Sequence, residues 1–165
     1  SLNRQNVCHR DLKLGNIIQL PSGEVRVIDF GSAAFVESNG RTREWGGDKS
    51  IHPPESFGDA RYTSKKTDSY SLFRVVYHLA SGKDFFEGTP VSGMADAHER
   101  IAQQEKEKCF RCMLFADQNL KGVEPRLITV MARLGATSAS DRILAEEALE
   151  MPYFRRRDVT ALKAA

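Results

Sequence analysis

Apolar positions near the start of the chain predict a short β-hairpin. Residues 17–20 (Ile-Ile-Gln-Leu) and 25–28 (Val-Arg-Val-Ile) are rich in β-branched side chains, and the turn-forming run Pro-Ser-Gly-Glu separates them. A hairpin returns the chain to the end where it began. We therefore expect Asp29, which follows the second strand, to lie close to Asp11 and Asn16, which precede the first.

Longer apolar stretches further along the chain predict helices. Residues 67–80 carry apolar side chains on almost every face, which is typical of a buried helix, and Thr67 and Gly82 stand where a cap and a stop are expected. Residues 95–115 have the spacing of an amphipathic helix, and residues 125–134 that of another. The whole pattern predicts a fold that is mainly α with a small β-hairpin.

The stretch between the hairpin and the first of these helices is polar and has little periodicity. Residues 31–55 predict a loop, and its length exceeds that of most loops in compact domains, which favours a functional role. We expect phosphorylation on one of its hydroxyls, with solvated loop side chains as the alternative. The candidates are Ser38, Thr42 and Ser50, and Arg41 and Arg43 flank the second of them.

Composition narrows the class of protein. The chain has 165 residues, 41% hydrophobic and 28% charged, as in an ordinary globular domain with one sizeable core. A net charge of +2 and a single basic run at residues 155–157 give no reason to expect nucleic acid as a partner. No apolar run reaches the ~20 residues of a membrane-spanning segment, and no signal peptide is visible.

The three cysteines are not spaced as a disulfide framework, which favours a reducing, cytoplasmic location. Cys109 and Cys112 form a C-x-x-C pair. Because no second pair accompanies them, we expect core or half-buried thiols there and not a zinc site.

Four polar side chains around the hairpin suit the transfer of a phosphoryl group. Asn16 and Asp29 offer oxygen ligands of the kind that Mg²⁺ prefers. Asp11 is a carboxylate that can accept a proton from an attacking hydroxyl, and Lys13 supplies positive charge where negative charge develops. Phosphoryl transfer depends mostly on positioning and charge stabilisation, which is what this set can provide.

The same residues carry a resemblance to the eukaryotic protein kinases. Residues 9–16 (His-Arg-Asp-Leu-Lys-Leu-Gly-Asn) and 29–31 (Asp-Phe-Gly) match the H-R-D-L-x-x-x-N and D-F-G motifs of that family. Residues 53–55 resemble its A-P-E motif, and residues 140–154 resemble its closing pattern. The resemblance implies the C-terminal, larger lobe of a Ser/Thr protein kinase, an α+β lobe at residues 1–165.

In such a lobe each segment has an expected place. The resemblance puts the catalytic loop at residues 8–16, the metal motif at 28–31, the activation segment at 31–55, the central helix at about 67–80 and the terminal helices at about 95–154. The family's smaller N-terminal lobe, with its Gly-rich loop, has no counterpart in this sequence. We therefore expect a missing N-terminal lobe to be a partner, and the isolated chain to be inactive.

The resemblance also implies a role for each candidate site residue. Asp11 and Lys13 are the expected catalytic residues, the first as the base and the second as the cation that steadies the γ-phosphate of ATP. Asn16 and Asp29 are expected to hold Mg²⁺, and Ile18 to lie under the adenine ring. ATP and Mg²⁺ are the expected cofactors. A protein Ser/Thr hydroxyl is the expected substrate, because Lys13 is typical of Ser/Thr kinases.

Two neighbours of the catalytic aspartate have expected roles of their own. His9 is expected to be buried against Phe30 and hydrogen-bonded to the backbone near Asp29, and its place beside Asp11 leaves a catalytic base as the alternative. Arg10 is expected to receive a phosphate of the activation segment, because a guanidinium fork binds phosphate well.

Three further residues have expected structural partners. The family closes the lobe with an ion pair, which places Glu55 against Arg142. Asp68, in the first turn of the central helix, is expected to anchor the backbone of the catalytic loop.

Two departures from the family pattern keep a second function open. Phe73 stands where the family usually has glycine, and Asp48 stands where it has threonine. Asp48 adds a negative charge near the catalytic aspartate, which could repel substrate or raise a carboxylate pKa. The alternative is therefore a pseudokinase, or a detached lobe that acts as a protein-binding scaffold.

Overall fold

Two small antiparallel sheets form the first part of the fold in a computed structural model, which describes residues 5–42, 46–57, 63–107 and 109–155. In chain order the strands are β1 (Val7–Cys8), β2 (Ile17–Gln19), β3 (Val25–Val27) and β4 (Ala34–Phe35). β2 pairs with β3, which confirms the predicted hairpin, and β1 pairs with β4. The second pairing brings the start of the following loop back beside the first strand.

Helices make up most of residues 65–155. In chain order they are α1 (Lys65–Ser81), α2 (Met94–Glu107), α3 (Phe110–Ala116), α4 (Pro125–Leu134), α5 (Ala145–Ala148) and α6 (Pro152–Arg155). Among the residues that the structure describes, none of these helices has both the length and the apolar character that crossing a bilayer requires. The prediction for residues 125–134 is confirmed to the residue.

Helix α1 begins earlier than the sequence indicated. Ser64 is its cap: the Ser64 side chain accepts a hydrogen bond from the Lys66 backbone, and Thr67 Oγ1 accepts one from Ser64 N at 2.9 Å. The expectation that Thr67 is the cap is therefore wrong, because Thr67 supplies the third residue of a capping box. The predicted stop is confirmed at Gly82, which has a φ of 73°. Leu79 is 71% exposed, so the last turn of α1 is not buried on every face.

Residues 95–115 form two helices where the pattern predicted one. Cys109 has an extended ψ of 145° and is the cap of α3, so the chain changes direction there. The turn allows Phe110 and Leu114 to enter the core, and it leaves Cys109 and Cys112 exposed. The expectation of core or half-buried thiols is wrong for this pair, because larger apolar side chains occupy the buried face of α3.

The core lies where α4 packs against α1 on one side and against α3 on the other. Phe73 is at its centre with no exposed surface. Its ring makes edge contacts with those of Tyr70, Phe85 and Phe110, at centroid distances of 5.0 to 5.6 Å. Aromatic pairs in this arrangement add to the stability that burial provides.

Gly135 explains how the core accommodates Phe73. A Cβ at Gly135 would lie 2.5 Å from Cγ of the Phe73 ring, so only a glycine leaves room for that ring. The large side chain on α1 is therefore matched by a missing side chain at the end of α4. The phenylalanine at position 73, where the family usually has glycine, is therefore accommodated by the packing of the core.

Candidate active site

The loop at residues 8–16 is held by the buried carboxylate of Asp68. Its Oδ2 accepts a hydrogen bond from His9 N at 2.7 Å, and its Oδ1 accepts one from Arg10 N at 2.9 Å. Burial raises the pKa of Asp68 despite these two backbone donors. Arg10 has a φ of 66°, a strained value for a residue with a side chain, which these bonds help to hold. The predicted anchor is confirmed.

His9 joins the loop to the end of the hairpin. It is 1% exposed, its Nε2 lies 3.1 Å from the carbonyl oxygen of Ile28, and its ring centroid is 5.0 Å from that of Phe30. Its Nδ1 accepts a hydrogen bond from Asp11 N at 3.3 Å. Both ring nitrogens therefore face backbone groups, which confirms the structural interpretation of His9.

Asp11 is buried, and each of its carboxylate oxygens has a partner. Asn16 Nδ2 donates to Asp11 Oδ2 at 3.0 Å and to the Asp11 backbone carbonyl at 2.8 Å. Asp11 Oδ1 lies 3.2 Å from Lys13 Nζ and accepts a hydrogen bond from Asp48 N at 3.3 Å. The structure thus brings three of the predicted site residues into direct contact.

The ammonium group of Lys13 is shared between two carboxylates. Its Nζ lies 3.2 Å from Asp11 Oδ1 and 3.4 Å from Asp48 Oδ2. Burial works against the charged form of Lys13, but the hydrogen bonds and charges of Asp11 and Asp48 outweigh it and raise the lysine pKa. Lys13 is therefore a fixed positive charge beside Asp11.

Asp48 is also tied to its own backbone turn. Its Oδ1 accepts hydrogen bonds from Ser50 N at 2.9 Å and Ser50 Oγ at 2.7 Å. Burial opposes ionisation of Asp48, but these bonds and Lys13 hold its pKa below the usual value. The expectation that Asp48 raises a carboxylate pKa is therefore wrong for its own side chain, because a cation stands between the two acids.

Asp29 lies at the end of the hairpin. The residue before it, Ile28, is hydrogen-bonded to the backbone of Asn16. Ile28 N donates to the Asn16 carbonyl at 2.9 Å, and Asp29 itself is exposed, with a φ of 60°. Its Oδ1 accepts a hydrogen bond from Gly31 N at 3.2 Å. The hairpin therefore brings the backbone at Asp29 to that at Asn16, as the strand pattern predicts.

The donor set at this end of the hairpin fits a hard cation. The amide nitrogen of Asn16 points to Asp11, which leaves its Oδ1 on the other branch of the amide, and Asp29 adds a carboxylate. Within the described ranges, no group of three or more His, Cys, Asp or Glu side chains is arranged to hold a metal ion. Mg²⁺ is usually bound through one or two carboxylates together with water and phosphate oxygens. Asp29 offers one carboxylate, and Asn16 offers an amide oxygen.

Apolar side chains lie exposed around the same hairpin. Ile18, the residue predicted to lie under adenine, is 38% exposed on β2, and Ile28 and Phe30 are 39% and 48% exposed.

The three candidate hydroxyls of residues 31–55 differ in access. Ser38 is exposed, whereas Thr42 is buried with its Oγ1 2.5 Å from that of Thr63. Ser50 is half-buried, and its hydroxyl donates a hydrogen bond to Asp48. Arg43, which follows Thr42, lies outside the described residues. Ser38 is therefore the most accessible of the three.

Arg10 lies against the backbone between Thr42 and Ser50. Its Nε donates to the carbonyl oxygen of Ser32 at 2.5 Å, and its guanidinium group lies against Gly46. The next residue, Gly47, has a φ of 91°, and a Cβ there would collide with the Arg10 carbonyl oxygen. The close approach at Gly47 brings the neighbouring Asp48 to the loop.

A buried ion pair fixes the end of residues 31–55. Arg142 Nη1 donates to Glu55 Oε1 at 2.7 Å and Nη2 to Oε2 at 3.1 Å, in the two-pronged geometry of strong guanidinium–carboxylate pairs. The Arg142 side chain has no exposed surface, and it also donates to the backbone carbonyls of Ala136, Thr137 and Lys66. The predicted pair is confirmed.

Two further histidines, which the sequence interpretation missed, extend the support of the loop. His52 Nε2 lies 3.0 Å from the Arg10 carbonyl oxygen, and His98 Nε2 lies 3.0 Å from that of His52. Burial lowers the pKa of both rings, that of His98 to about 4. The sequence could have predicted the burial of His98, because helical spacing places it on the apolar face of α2 with Met94, Ala97 and Ile101.

A cavity of about 310 Å³ opens beside Lys13, between the loop and α1. Its walls are mainly apolar, and Arg74, His78 and Asp84 stand among them. The apolar part of the wall consists of Leu12, Leu14, Ile51 and Val75.

The sequence matches a known family over most of its length. Residues 1–154 match the family model described as the protein kinase domain. Protein kinase kin1 of Schizosaccharomyces pombe is 27% identical over 155 residues, which cover 94% of this chain and 16% of that protein.

Two other relatives show a similar degree of likeness. Mitogen-activated protein kinase spm1 of Cytospora mali is 26% identical over 176 residues, covering 93% of this chain and 42% of that protein. The Zea mays protein named "Probable serine/threonine-protein kinase CCRP1" is 28% identical over 155 residues, which cover 93% of this chain and 23% of that protein. The chain spans less than half of the length of each of these relatives.

Proposed function

Because the chain belongs to the protein kinase domain family, we propose that it carries the residues that transfer the γ-phosphate of ATP to a serine or threonine hydroxyl of a protein. The observation that carries this proposal is the contact set of Asp11, whose two oxygens meet Asn16 Nδ2 at 3.0 Å and Lys13 Nζ at 3.2 Å. A carboxylate so oriented can align a hydroxyl and accept its proton.

Each neighbour of Asp11 has a part in this mechanism. Asn16 holds the carboxylate in one orientation, and Lys13 keeps a positive charge where the γ-phosphate would carry negative charge. Asn16 Oδ1 and Asp29 are the side-chain oxygens that would hold Mg²⁺. When bound, Mg²⁺ would neutralise charge on the phosphates of ATP.

We propose that the remaining half of the nucleotide site comes from residues outside this chain. The sequence contains no G-x-G-x-x-G run, which in this family covers the phosphates. Ile18 is exposed on β2 and would lie against one side of the adenine ring. The chain then acts as the larger, C-terminal lobe, is inactive alone, and needs an N-terminal lobe as its partner.

Replacing Asp11 tests the proposal. In the full-length protein that contains this chain, we expect Asp11→Asn to reduce phosphate transfer to a Ser/Thr substrate by about 10²–10⁴-fold, the usual contribution of a general base. Binding of ATP should change little, because the substitution keeps the shape of the side chain. Asp141→Asn is the matched control, since Asp141 is exposed and lies outside the site. Equal transfer rates for wild type and Asp11→Asn would remove Asp11 from this role.

Asp48 favours a second candidate function, that of a binding module without transferase activity. It competes with Asp11 for Lys13, the cation that transfer requires. If the protein is an enzyme, Asp48→Thr should raise the transfer rate by up to about fivefold, which corresponds to the ~1 kcal/mol of a partly exposed ion pair. No transfer by either wild type or Asp48→Thr, with both folded and both binding ATP, would favour the binding module.

A further inference from the structure

Cys109 and Cys112 form an exposed pair of thiols that takes no part in the proposed phosphoryl transfer. Their Sγ atoms lie 2.7 Å apart, and the Cys112 backbone N donates to Cys109 Sγ at 3.4 Å. Both side chains are exposed at the surface. The two sulfurs are thus already adjacent, and small molecules can reach them.

We propose that Cys109 and Cys112 are a site of reversible oxidation, at which an intramolecular disulfide forms by exchange with a low-molecular-weight disulfide such as glutathione disulfide. The Cys109 thiolate attacks one sulfur of glutathione disulfide, which forms a mixed disulfide and releases one glutathione thiolate. Cys112 then loses its proton and attacks the Cys109 sulfur, releasing the second glutathione. Two protein thiols are oxidised, and one glutathione disulfide is reduced to two glutathione molecules.

The surroundings of Cys109 favour its role as the attacking thiol. A hydrogen bond with the Cys112 thiol, followed by the Cys112 backbone N–H and the charge of Arg111, lowers the pKa of Cys109. A larger thiolate fraction speeds the first exchange step. Cys112 is then in place to resolve the mixed disulfide, because its sulfur is the nearest neighbour.

The disulfide is compatible with the fold of α3. Residues three apart in a helical turn have Cα atoms about 5 Å apart, inside the range that a disulfide spans. Phe110 and Leu114 are the buried residues of α3, whereas the two thiols are exposed. Oxidation therefore leaves the core packing unchanged, and the proposal does not depend on the proposed kinase function.

The third cysteine is an internal control. Cys8 has no exposed surface, and its Sγ donates to the Ser64 carbonyl oxygen at 2.9 Å. Burial, together with the nearby Asp68 carboxylate, raises the pKa of Cys8 far above its usual value. Cys8 should therefore resist both exchange and alkylation in the folded protein.

A peptide map of the full-length protein tests the proposal. The protein is equilibrated with glutathione buffers of increasing disulfide content, its remaining thiols are blocked, and it is digested with trypsin without reduction. Trypsin cuts between Arg111 and Cys112, so the disulfide would join the peptide Cys109–Arg111 to the peptide that begins at Cys112. We expect this linked pair in disulfide-rich buffers, its loss when excess glutathione is added, and Cys8 blocked only after denaturation.

The Cys112→Ser variant separates the two steps. Without the resolving thiol, Cys109 should keep one glutathionyl group in the disulfide-rich buffer, and no linked peptide pair should form. The proposal is overturned if wild-type Cys109 and Cys112 stay blocked as separate thiols at every buffer ratio. A glutathionyl group that persists on wild-type Cys109, or a disulfide between two chains, would overturn it as well.

Discussion

One added methyl group at Gly135 tests how the core makes room for Phe73. A Cβ at this position would lie 2.5 Å from Phe73 Cγ and 2.7 and 2.8 Å from the two Cδ atoms. The ring cannot turn away, because it has no exposed surface and is enclosed by the rings of Tyr70, Phe85 and Phe110. Gly135→Ala must therefore shift a packed aromatic cluster.

The expected cost is that of overpacking a core, about 1–3 kcal/mol in the free energy of unfolding. The backbone contributes little to it, because Gly135 has a negative φ of −97°. For a chain of this length that loss corresponds to a fall in Tm of roughly 2–12 °C. Urea unfolding and thermal unfolding, both followed by circular dichroism, measure the two quantities.

A double-mutant cycle with Phe73→Leu isolates the contact. In the Phe73→Leu background the smaller side chain leaves space, so Gly135→Ala should cost much less, with a coupling of about 1–2 kcal/mol. Gly15→Ala is the matched control, because a Cβ at Gly15 meets no atom within 4 Å. An equal cost of Gly135→Ala in both backgrounds, or a cost no larger than that of Gly15→Ala, would refute the steric reasoning.

Two further predictions concern buried charge. Burial holds the pKa of folded His98 at about 4, against 6.5 for an unperturbed histidine. The unfolded chain therefore takes up a proton first, so stability should be complete above pH 6.5 and fall by up to about 3 kcal/mol towards pH 4. Urea unfolding at pH 7 and pH 5 measures this loss of stability. The variant His98→Gln should show a smaller difference in the free energy of unfolding between the two pH values, and an unchanged difference would contradict the attribution to His98. Glu55→Gln should lower stability by about 3–5 kcal/mol, because it leaves the buried Arg142 charge uncompensated. The control Glu150→Gln, whose partner Arg155 is exposed, should cost less than about 1 kcal/mol in the same assay, and equal losses would contradict the reasoning.

The hairpin and the motif contacts were the parts of the molecule most open to prediction. The alternation of β-branched residues and the turn between them determine β2 and β3, because both signals act over a few residues. The resemblance predicted the contacts of Asp68 with the loop and of Glu55 with Arg142, and the structure confirms both. The roles of Asp11, Lys13, Asn16, Ile18 and Asp29 remain predictions that the proposed experiments address.

The errors occurred where a local pattern allowed more than one outcome. Ser64 and Thr67 are both good capping residues, and in the structure the extended backbone at Ser64 makes it the cap while Thr67 becomes the third residue of the capping box. The periodicity of residues 95–115 is nearly continuous, and the break before α3 follows from the need to bury Phe110 and Leu114. The exposure of the cysteine pair is a consequence of that break.

The order of residues was enough to establish the hairpin, the main helices and the family of the chain, because strand alternation, helix periodicity and motif spacing are properties of neighbouring positions. Tertiary packing alone decided that Asp48 shares Lys13 with Asp11 and that Gly135 leaves space for Phe73. These contacts join positions far apart in the chain. Their distances depend on how the segment after the hairpin folds over the loop and on how α4 packs against α1, which no local pattern encodes.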